Sequence, residues 1–321
     1  MSVEASLSRR ARWRLPEIVF WLLAFAALLL PPGRHLLLNE IAILALFALS
    51  LDLILGYAGI ISLGHAAFFG AGAYAAGIFC KLVTPDPHTG LVVAIAVAAA
   101  LGALTSLLVL RGSDLTRLMV TLAVALVLHE VANALPQWTG GADGLQGMSV
   151  GPLLGHFDFD LYGRTAYAYS LVTLFVLFLL ARRIVHSPFG LSLMAIRCNP
   201  LRAAALGVPT RPRLIAVYTL SAAYAGAAGA LLAQTTAYVS LEMLEFQRSA
   251  DVLLTLIIGG TGWLYGGIAG AIAFKILQDV LSSSAPQFWM FWMGIFLVAL
   301  ALVGRERLAR GVRGLIAKVA P

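Results

Sequence analysis

Charge is scarce in this chain. Asp, Glu, Lys and Arg together make up 12% of its 321 residues, whereas about a quarter of the residues in a soluble globular domain are charged. Hydrophobic residues make up 60% of the chain. These proportions exclude a water-soluble fold, and they predict a chain that lies inside a lipid bilayer.

Motifs for nucleotide binding and for metal catalysis are also missing. The pattern Gly-x-x-x-x-Gly-Lys-Ser/Thr does not occur, so any nucleotide energy must come from a partner. His129 and Glu130 begin a run that resembles the His-Glu-x-x-His zinc motif, but Asn133 stands where the second His would be. We therefore interpret this run as polar packing or as the lining of a pathway. An integral membrane enzyme would need a further catalytic cluster, and the sequence offers none.

Long apolar stretches follow one another from Ile18 to Val303. They predict spans near 18–37, 38–56, 60–83, 90–110, 115–135, 165–185, 213–234 and 286–303. The region 249–284 fits two further short crossings that turn at its glycines, or a re-entrant or broken pair. We therefore predict an all-α, polytopic transmembrane helix bundle with broken or re-entrant helices. About ten spans are expected, and eight is the alternative.

Basic residues are concentrated in three segments, which orients the predicted bundle. These segments are the N-terminus (1–17), a central loop (186–212, with arginines just before it) and the C-terminal tail (304–321). By the positive-inside rule all three face the cytoplasm, and residues 18–303 form one transmembrane domain between the termini. The loop 136–164 is then external. Cys80 and Cys198 fall near opposite sides of the membrane, so we expect no disulfide between them.

Two loops carry local signals. Residues 139–145 (Thr-Gly-Gly-Ala-Asp-Gly-Leu) predict tight turns, which would form either a plain surface loop or a docking surface for an external partner. In the central loop, Asn199 suits an N-cap, Pro200 the first helical position and Gly207 the C-terminal cap. The short helix between them has an apolar face that includes Leu206. It would lie in the lipid headgroups or fill a groove in a cytoplasmic protein.

Polar residues within the predicted spans are costly, so those present usually face a bundle interior or a pathway. They are Asn39, Glu40, Asp52, His65, Arg117, His129, Glu130, Asn133, Lys275 and Asp279. Lys275 and Asp279 are four residues apart, so we expect them to neutralise each other. Ser62 and His65 lie in a stretch of small residues, 56–74, which predicts either close helix packing or a broken helix beside a substrate path.

The stretch 56–74 resembles the signature of permease subunits of branched-chain amino acid ABC importers. Residues 139–145 are similar to the external loop of that family, and residues 188–208 are similar to its cytoplasmic coupling segment. Residues 258–271 are similar to its Gly-rich turn. The Thr-Gly-Gly-x-Asp-Gly loop and the chain length favour the LivM-like over the LivH-like member of the pair.

The resemblance implies a machine in the bacterial inner membrane that carries leucine, isoleucine and valine. Its other parts would be a homologous second permease, two cytoplasmic ABC ATPase subunits and a periplasmic binding protein. This chain would be no enzyme and hold no cofactor, while ATP and magnesium would bind to the ATPase partners. Ile60 stands where the family often has Gln, and urea or short-amide permeases of the same wider family remain an alternative. An ion-coupled secondary transporter that uses Glu130 or Asp52 is the other alternative.

Three groups of candidate site residues follow. The substrate pathway would be lined by Ser62, His65, Glu130 and Asn133. Coupling to the ATPase would involve Arg197, Asn199, Pro200, Leu206 and Gly207. Docking of the binding protein would involve Gly140, Gly141, Asp143 and Gly144.

Overall fold

The structure is a computed structural model that describes residues 13–31, 33–160 and 162–303, and these residues are helical with two isolated β-bridges and no strand. Short helical turns lie at Ala27–Leu29, Pro136–Thr139, Gly141–Asp143 and Leu241–Leu244. Apart from these, the first six helices are α1 (Leu15–Ala26), α2 (His35–Asp52), α3 (Ala66–Leu82), α4 (Pro87–Val109), α5 (Asp114–Ala134) and α6 (Arg164–Val185). They are followed by α7 (Pro188–Cys198), α8 (Pro200–Ala205), α9 (Thr210–Thr236), α10 (Phe246–Gly259), α11 (Leu264–Ser284) and α12 (Trp289–Val303). The predicted all-α fold is confirmed.

Six of these helices are long and apolar enough to cross a membrane. They are α2 with its π-helical extension to Tyr57, α4, α5, α6, α9 and α11. The other four predicted spans correspond to the shorter helices α1, α3, α10 and α12, so helix length does not confirm a count of ten. Most of the predicted basic N-terminus and the whole predicted tail lie outside the described residues. Their cytoplasmic orientation stays a prediction.

Two predicted boundaries are wrong. The first span was expected over 18–37, but α1 and its 3-10 end stop at Leu29 and α2 already begins at His35. Pro31 explains the early end, because a residue before proline is disfavoured in helical conformation. The third span was expected from residue 60, but residues 58–65 are irregular and α3 begins at Ala66. Within this segment the N–H of Leu63 bonds to a side chain of α5, and the N–H of Ile60 bonds back to the carbonyl of Ile54.

The chain is thus interrupted at two places within the bundle. The first interruption is segment 58–65, which follows a π-helical turn at Leu53–Tyr57. The second is segment 237–245, which runs beside α3 from near Gly77 to near Gly70 before α10 begins. Because α10 has only 14 residues, it rises about 21 Å and covers part of a hydrocarbon core of about 30 Å. We refer to these segments as the inner break (58–65) and the outer break (237–245).

The centre of the bundle is α9, which packs most extensively against α4 and α3. Small residues make this approach possible. A Cβ atom on Gly72 of α3 would lie 2.3 Å from the carbonyl oxygen of Gly226 on α9, and one on Gly229 would lie 1.9 Å from that of Phe69. Helix association in lipid depends on such close backbone packing, since apolar side chains gain little by leaving lipid for protein.

Polar contacts between helices add to this packing. Asn39 of α2 accepts a hydrogen bond from Ser170 of α6 at 2.6 Å and donates to Thr235 of α9 at 3.2 Å. Ser221 of α9 donates to the carbonyl of Ser50 at 2.6 Å. These bonds satisfy buried polar groups that would otherwise be unpaired at membrane depth. Cys80 is buried and Cys198 is exposed, and both are free.

The predicted pairing of Lys275 with Asp279 is wrong. Lys275 Nζ lies 2.8 Å from Glu40 Oε2 on the facing helix α2, and Asp279 is exposed. Within one helix an acid N-terminal to a lysine interacts better than the reverse order found here. Glu40 therefore pairs with Lys275 across the contact between α2 and α11.

Replacement of Gly72 by Ala tests the close contact of α3 with α9. We expect Gly72→Ala to destabilise the protein by about 1–3 kcal/mol, because the added methyl group would overlap backbone atoms that have no room to move. Gly294→Ala in α12 is the matched control, since nothing lies within 4 Å of its added Cβ. Thermal unfolding in mild detergent measures both. Equal midpoints for the two variants would contradict the packing described.

Candidate functional site

The segment between α6 and α9 contains two short, well-capped helices. Ser187 Oγ accepts a hydrogen bond from the backbone N–H of Phe189 at the start of α7, at 3.2 Å. Asn199 Oδ1 accepts from the N–H of Arg202 at the start of α8, at 2.9 Å. Pro200 occupies the first position of α8, and Gly207 beyond its end has φ +83°. The short helix predicted from these residues is confirmed, while its role in coupling stays a prediction.

The α8 helix carries its apolar side chains on the outside of the chain. Leu201 is 83% exposed and Leu206 is 78% exposed, whereas Ala203 is buried. Exposed large apolar side chains on a capped helix indicate a surface that is covered by lipid headgroups or by another protein.

Arg197, at the end of α7, joins this surface to the interior of the bundle. Its Nη1 donates a hydrogen bond to the carbonyl oxygen of Gly56, in the π-helical turn before the inner break. Asp52 is fully buried, and its Oδ1 accepts a hydrogen bond from the N–H of Gly262 at 2.7 Å. We call these four residues the inner latch. It connects α7, the end of α2 and the turn between α10 and α11.

Glycine is required in this latch. A Cβ atom on Gly56 would lie 2.0 Å from Asp52 Oδ1 and 2.5 Å from the N atom of Gly262. Gly262 itself has φ +76°, which L side chains rarely adopt. Any larger residue at position 56 would therefore push the α10–α11 turn away from α2.

The inner break is held by side chains of two other helices. Leu63 N–H donates to Thr121 Oγ1 of α5 at 3.2 Å, and Ala66 N–H, at the start of α3, donates to Ser249 Oγ of α10 at 2.9 Å. A Cβ atom on Gly64 would lie 1.8 Å from the carbonyl oxygen of Thr121. The two hydrogen bonds satisfy backbone N–H groups that have no partner within a helix.

Two of the four predicted pathway residues belong to this inner break. His65 is fully buried, its Nε2 lies 2.8 Å from Ser50 Oγ, and its ring stacks on Phe47 with centroids 5.5 Å apart. Ser62 is 1% exposed, and its Oγ has no hydrogen-bond partner among the described residues.

The other two predicted pathway residues, Glu130 and Asn133, lie on the exposed side of α5. The structure therefore does not bring the four residues together. The part of α5 that fits a membrane span is only 17% buried, so its outer face is free for lipid or for another subunit. A role in the pathway stays a prediction for each of the four.

The external loop is attached to the outer break. Leu145 and Val239 exchange backbone hydrogen bonds, with N–O distances of 2.7 and 3.3 Å, and Tyr238 Oη donates to the carbonyl of Asp143 at 3.1 Å. A Cβ atom on Gly144 would lie 2.6 Å from the carbonyl oxygen of Val239. The loop therefore cannot shift without moving the outer break.

The four residues predicted to dock the binding protein differ in their exposure to solvent. Gly140, Gly141 and Gly144 have φ of +79°, +58° and +73°, and the last two are buried, so they shape the loop. Asp143 is exposed and is the residue of the four that presents a charge to the outside. Docking of a partner here stays a prediction.

Sequence reasoning missed a cavity of about 310 Å³ whose walls include residues of α2, α9, α10, α11 and the outer break. Five of its lining residues are charged: Glu40, Glu242, Arg248, Asp251 and Lys275. The available signal was Arg248, directly before the predicted region 249–284, and Asp251 within it, neither of which the span assignment explained. Among the described residues, no group of three His, Cys, Asp or Glu side chains could hold a metal ion.

Comparisons with known proteins agree with the resemblance seen in the motifs. A family model described as "Branched-chain amino acid transport system / permease component" matches residues 35–301. The high-affinity branched-chain amino acid transport system permease protein LivM of Escherichia coli (strain K12) is 26% identical over 257 residues, which cover 74% of this chain and 60% of that protein. LivM of Salmonella typhimurium is 28% identical over 258 residues, with the same coverage of 74% and 60%.

A LivH protein is also similar to this chain. The probable branched-chain amino acid transport permease protein LivH of Methanocaldococcus jannaschii is 25% identical over 249 residues, which cover 75% of this chain and 77% of that protein. The chain spans about 60% of the length of the two LivM proteins. No solved structure matches it.

Ser249→Ala tests the contact between α10 and the start of α3, directly after the inner break. Loss of the hydroxyl leaves the buried N–H of Ala66 without an acceptor, so we expect a loss of about 1–3 kcal/mol in the free energy of unfolding. Ser283→Ala on α11 is the control, because Ser283 is exposed and bonds only to a carbonyl of its own helix. Denaturation in mild detergent measures both variants, and an equal loss in the control would contradict a special role for Ser249.

Proposed function

The chain belongs to the family of branched-chain amino acid transport system permease components, and we propose that it is the transmembrane permease subunit of an ABC importer. Leucine, isoleucine and valine are the proposed substrates, and the bacterial inner membrane is the proposed location. The observation that carries the proposal is the family match over residues 35–301. The apolar helices support a multi-pass membrane protein.

The proposed importer has four kinds of subunit. This chain pairs with a homologous second permease, and the exposed face of α5 is a surface that supports such pairing. Two cytoplasmic ATPase subunits bind ATP and magnesium, since the chain has no P-loop of its own. A periplasmic binding protein delivers the substrate.

On the cytoplasmic side, we propose that α8 sits in a groove of an ATPase subunit. Leu201 and Leu206 supply the apolar contacts for that groove. Movement of α8 and α7 is then transmitted to the inner latch by Arg197, because its guanidinium bonds to the carbonyl of Gly56. ATP-driven closure of the ATPase pair would thus rock the spans as rigid bodies.

On the external side, we propose that the binding protein contacts the loop around Asp143. The backbone pairing of Leu145 with Val239 supports transmission of that contact to the outer break. The outer break leads directly into α10, whose far end meets the inner latch at Gly262. One helix therefore connects the two proposed docking surfaces.

Purification from native membranes tests the proposed assembly. We expect mild-detergent purification of this chain to recover a second permease and P-loop ATPases, identified by mass spectrometry. In proteoliposomes with the binding protein, this complex should take up leucine, isoleucine and valine when ATP is supplied, and urea is the comparison solute.

Three results would contradict all or part of the proposal. Repeated recovery of the folded chain alone would contradict the proposed assembly with ATPase subunits and a second permease. Uptake that collapses with an uncoupler while ATP is held constant would show an ion-coupled transporter instead. Uptake of urea in preference to leucine would retain the ABC mechanism and replace the proposed substrate.

Substitutions in the segment 188–208 distinguish binding of the ATPase subunits from transmission of their movement to the membrane helices. Leu206→Asp should weaken recovery of the ATPase subunits by about tenfold, because it places a charge in the proposed apolar groove. Arg197→Gln should leave the ATPase attached and still hydrolysing ATP while uptake falls about tenfold, which corresponds to about 1.4 kcal/mol. Arg202→Gln is the control on the exposed side of α8. Normal uptake by Arg197→Gln would rule out transmission through the latch.

A further inference from the structure

The cavity missed by sequence reasoning lies where the outer break meets the long helices. Its volume is about 310 Å³, at the lower end of the roughly 300–1,000 Å³ found for small-molecule pockets. Tyr238, Ser240 and Glu242 of the outer break line one side. The cavity is therefore bordered by the segment that is paired with the external loop. We call it the amphipathic cavity.

One part of its wall is apolar. Ile43, Leu44 and Phe47 of α2 line it together with Phe69 of α3 and Phe274 of α11. Ile43, Phe47, Phe69 and Phe274 are buried. This wall suits an aliphatic group, because such a group would lose contact with water and gain contact with close-packed side chains.

The rest of the wall carries charges of both signs. Lys275, near the middle of α11, forms an ion pair with Glu40 at 2.8 Å, and the lysine side chain is only 16% exposed. Arg248 and Asp251 lie in the first two turns of α10. Glu40 and Lys275 lie on helices that are long and apolar enough to cross a membrane. Charges within such helices are costly and usually mark a substrate or ion pathway.

A purely structural role explains some of these charges but does not explain the others. The bond between Lys275 and Glu40 holds α11 to α2, and each neutralises the other. Asp251 has Gln247 as its side-chain hydrogen-bond partner, at 3.1 Å. Within the described ranges, no carboxylate lies within ion-pair distance of the guanidinium of Arg248. Arg248 and Asp251, three residues apart on α10, act on each other through their charges, and both line the cavity together with its apolar residues.

We propose that the amphipathic cavity binds an aliphatic amino acid as its zwitterion. Arg248 faces the α-carboxylate, Asp251 faces the α-ammonium group, and the side chain of the substrate lies against the apolar wall at Phe47 and Phe274. A guanidinium suits a carboxylate because it can donate two hydrogen bonds to it. The inference rests on the proposed function and adds an internal site at which the permease itself recognises the substrate.

Protection of an introduced cysteine tests this site. Thr236, an exposed residue of the cavity lining, is replaced by Cys in a Cys198→Ser background, and Cys80 is retained because it is buried. The assembled importer is treated with a small hydrophilic thiol reagent. We expect leucine to slow the modification at Thr236→Cys at least fivefold. His156→Cys in the exposed external loop is the matched control, and its rate should not change.

Analogues that lack one charge decide whether the site recognises a zwitterion. We expect 4-methylpentanoate, which has no ammonium group, and isoamylamine, which has no carboxylate, to need at least tenfold higher concentrations than leucine. Arg248→Gln and Asp251→Asn in the Thr236→Cys background should each abolish protection by leucine. Equal protection by leucine and both analogues would overturn the proposal, as would full protection in both charge variants.

Leucine uptake by the unmodified importer, measured in parallel, separates the two proposals. Uptake of leucine without protection at Thr236→Cys would overturn the cavity site and leave the proposed function standing. Protection without uptake would support the site and contradict the proposed function. Protection at His156→Cys as well would show a general change in accessibility and overturn the cavity site.

Discussion

The structure depends on one constraint: backbone N–H and C=O groups at membrane depth must find partners within the protein. Continuous helices meet it by themselves, but the inner break (58–65) and the outer break (237–245) cannot. The inner break relies on Thr121 and Ser249, which accept hydrogen bonds from its backbone and from the start of α3. The outer break relies on the external loop, through the pairing of Leu145 with Val239. Each break is consequently tied to elements distant in sequence.

These ties would connect the two proposed docking surfaces of the permease. The α10 helix begins where the outer break ends, contacts the start of α3 directly after the inner break through Ser249, and ends at the turn that contains Gly262. That turn bonds to Asp52, and Arg197 connects the same region to the coupling segment. Rigid elements joined in this way move together, as hinge and shear transitions require. The amphipathic cavity lies beside the outer break, where such movement would open or close it.

Sequence signals predicted those features that depend on neighbouring residues in the chain. Asn199 and Pro200 start the α8 helix as expected, since a cap depends on neighbouring residues. The all-α class followed from apolar runs, although length confirms only six of the predicted spans. Pairing between residues distant in the chain could not be predicted from the sequence. Lys275 bonds to Glu40, 235 residues away, and not to Asp279. For the same reason the cavity charges Arg248 and Asp251 were missed, because only the folded chain brings α10 to α2 and α11.

Hydrogen exchange of the two breaks in the assembled importer, followed by mass spectrometry, tests the central claim most directly. If the breaks are internal parts of one connected unit, their amides exchange slowly, and trapping the ATP-bound state changes exchange in 58–65 and in 237–245 together. The exposed loop around His156 is the reference for fast exchange. Exchange as fast as this reference in both breaks, or a response to ATP confined to the inner break, would contradict the account.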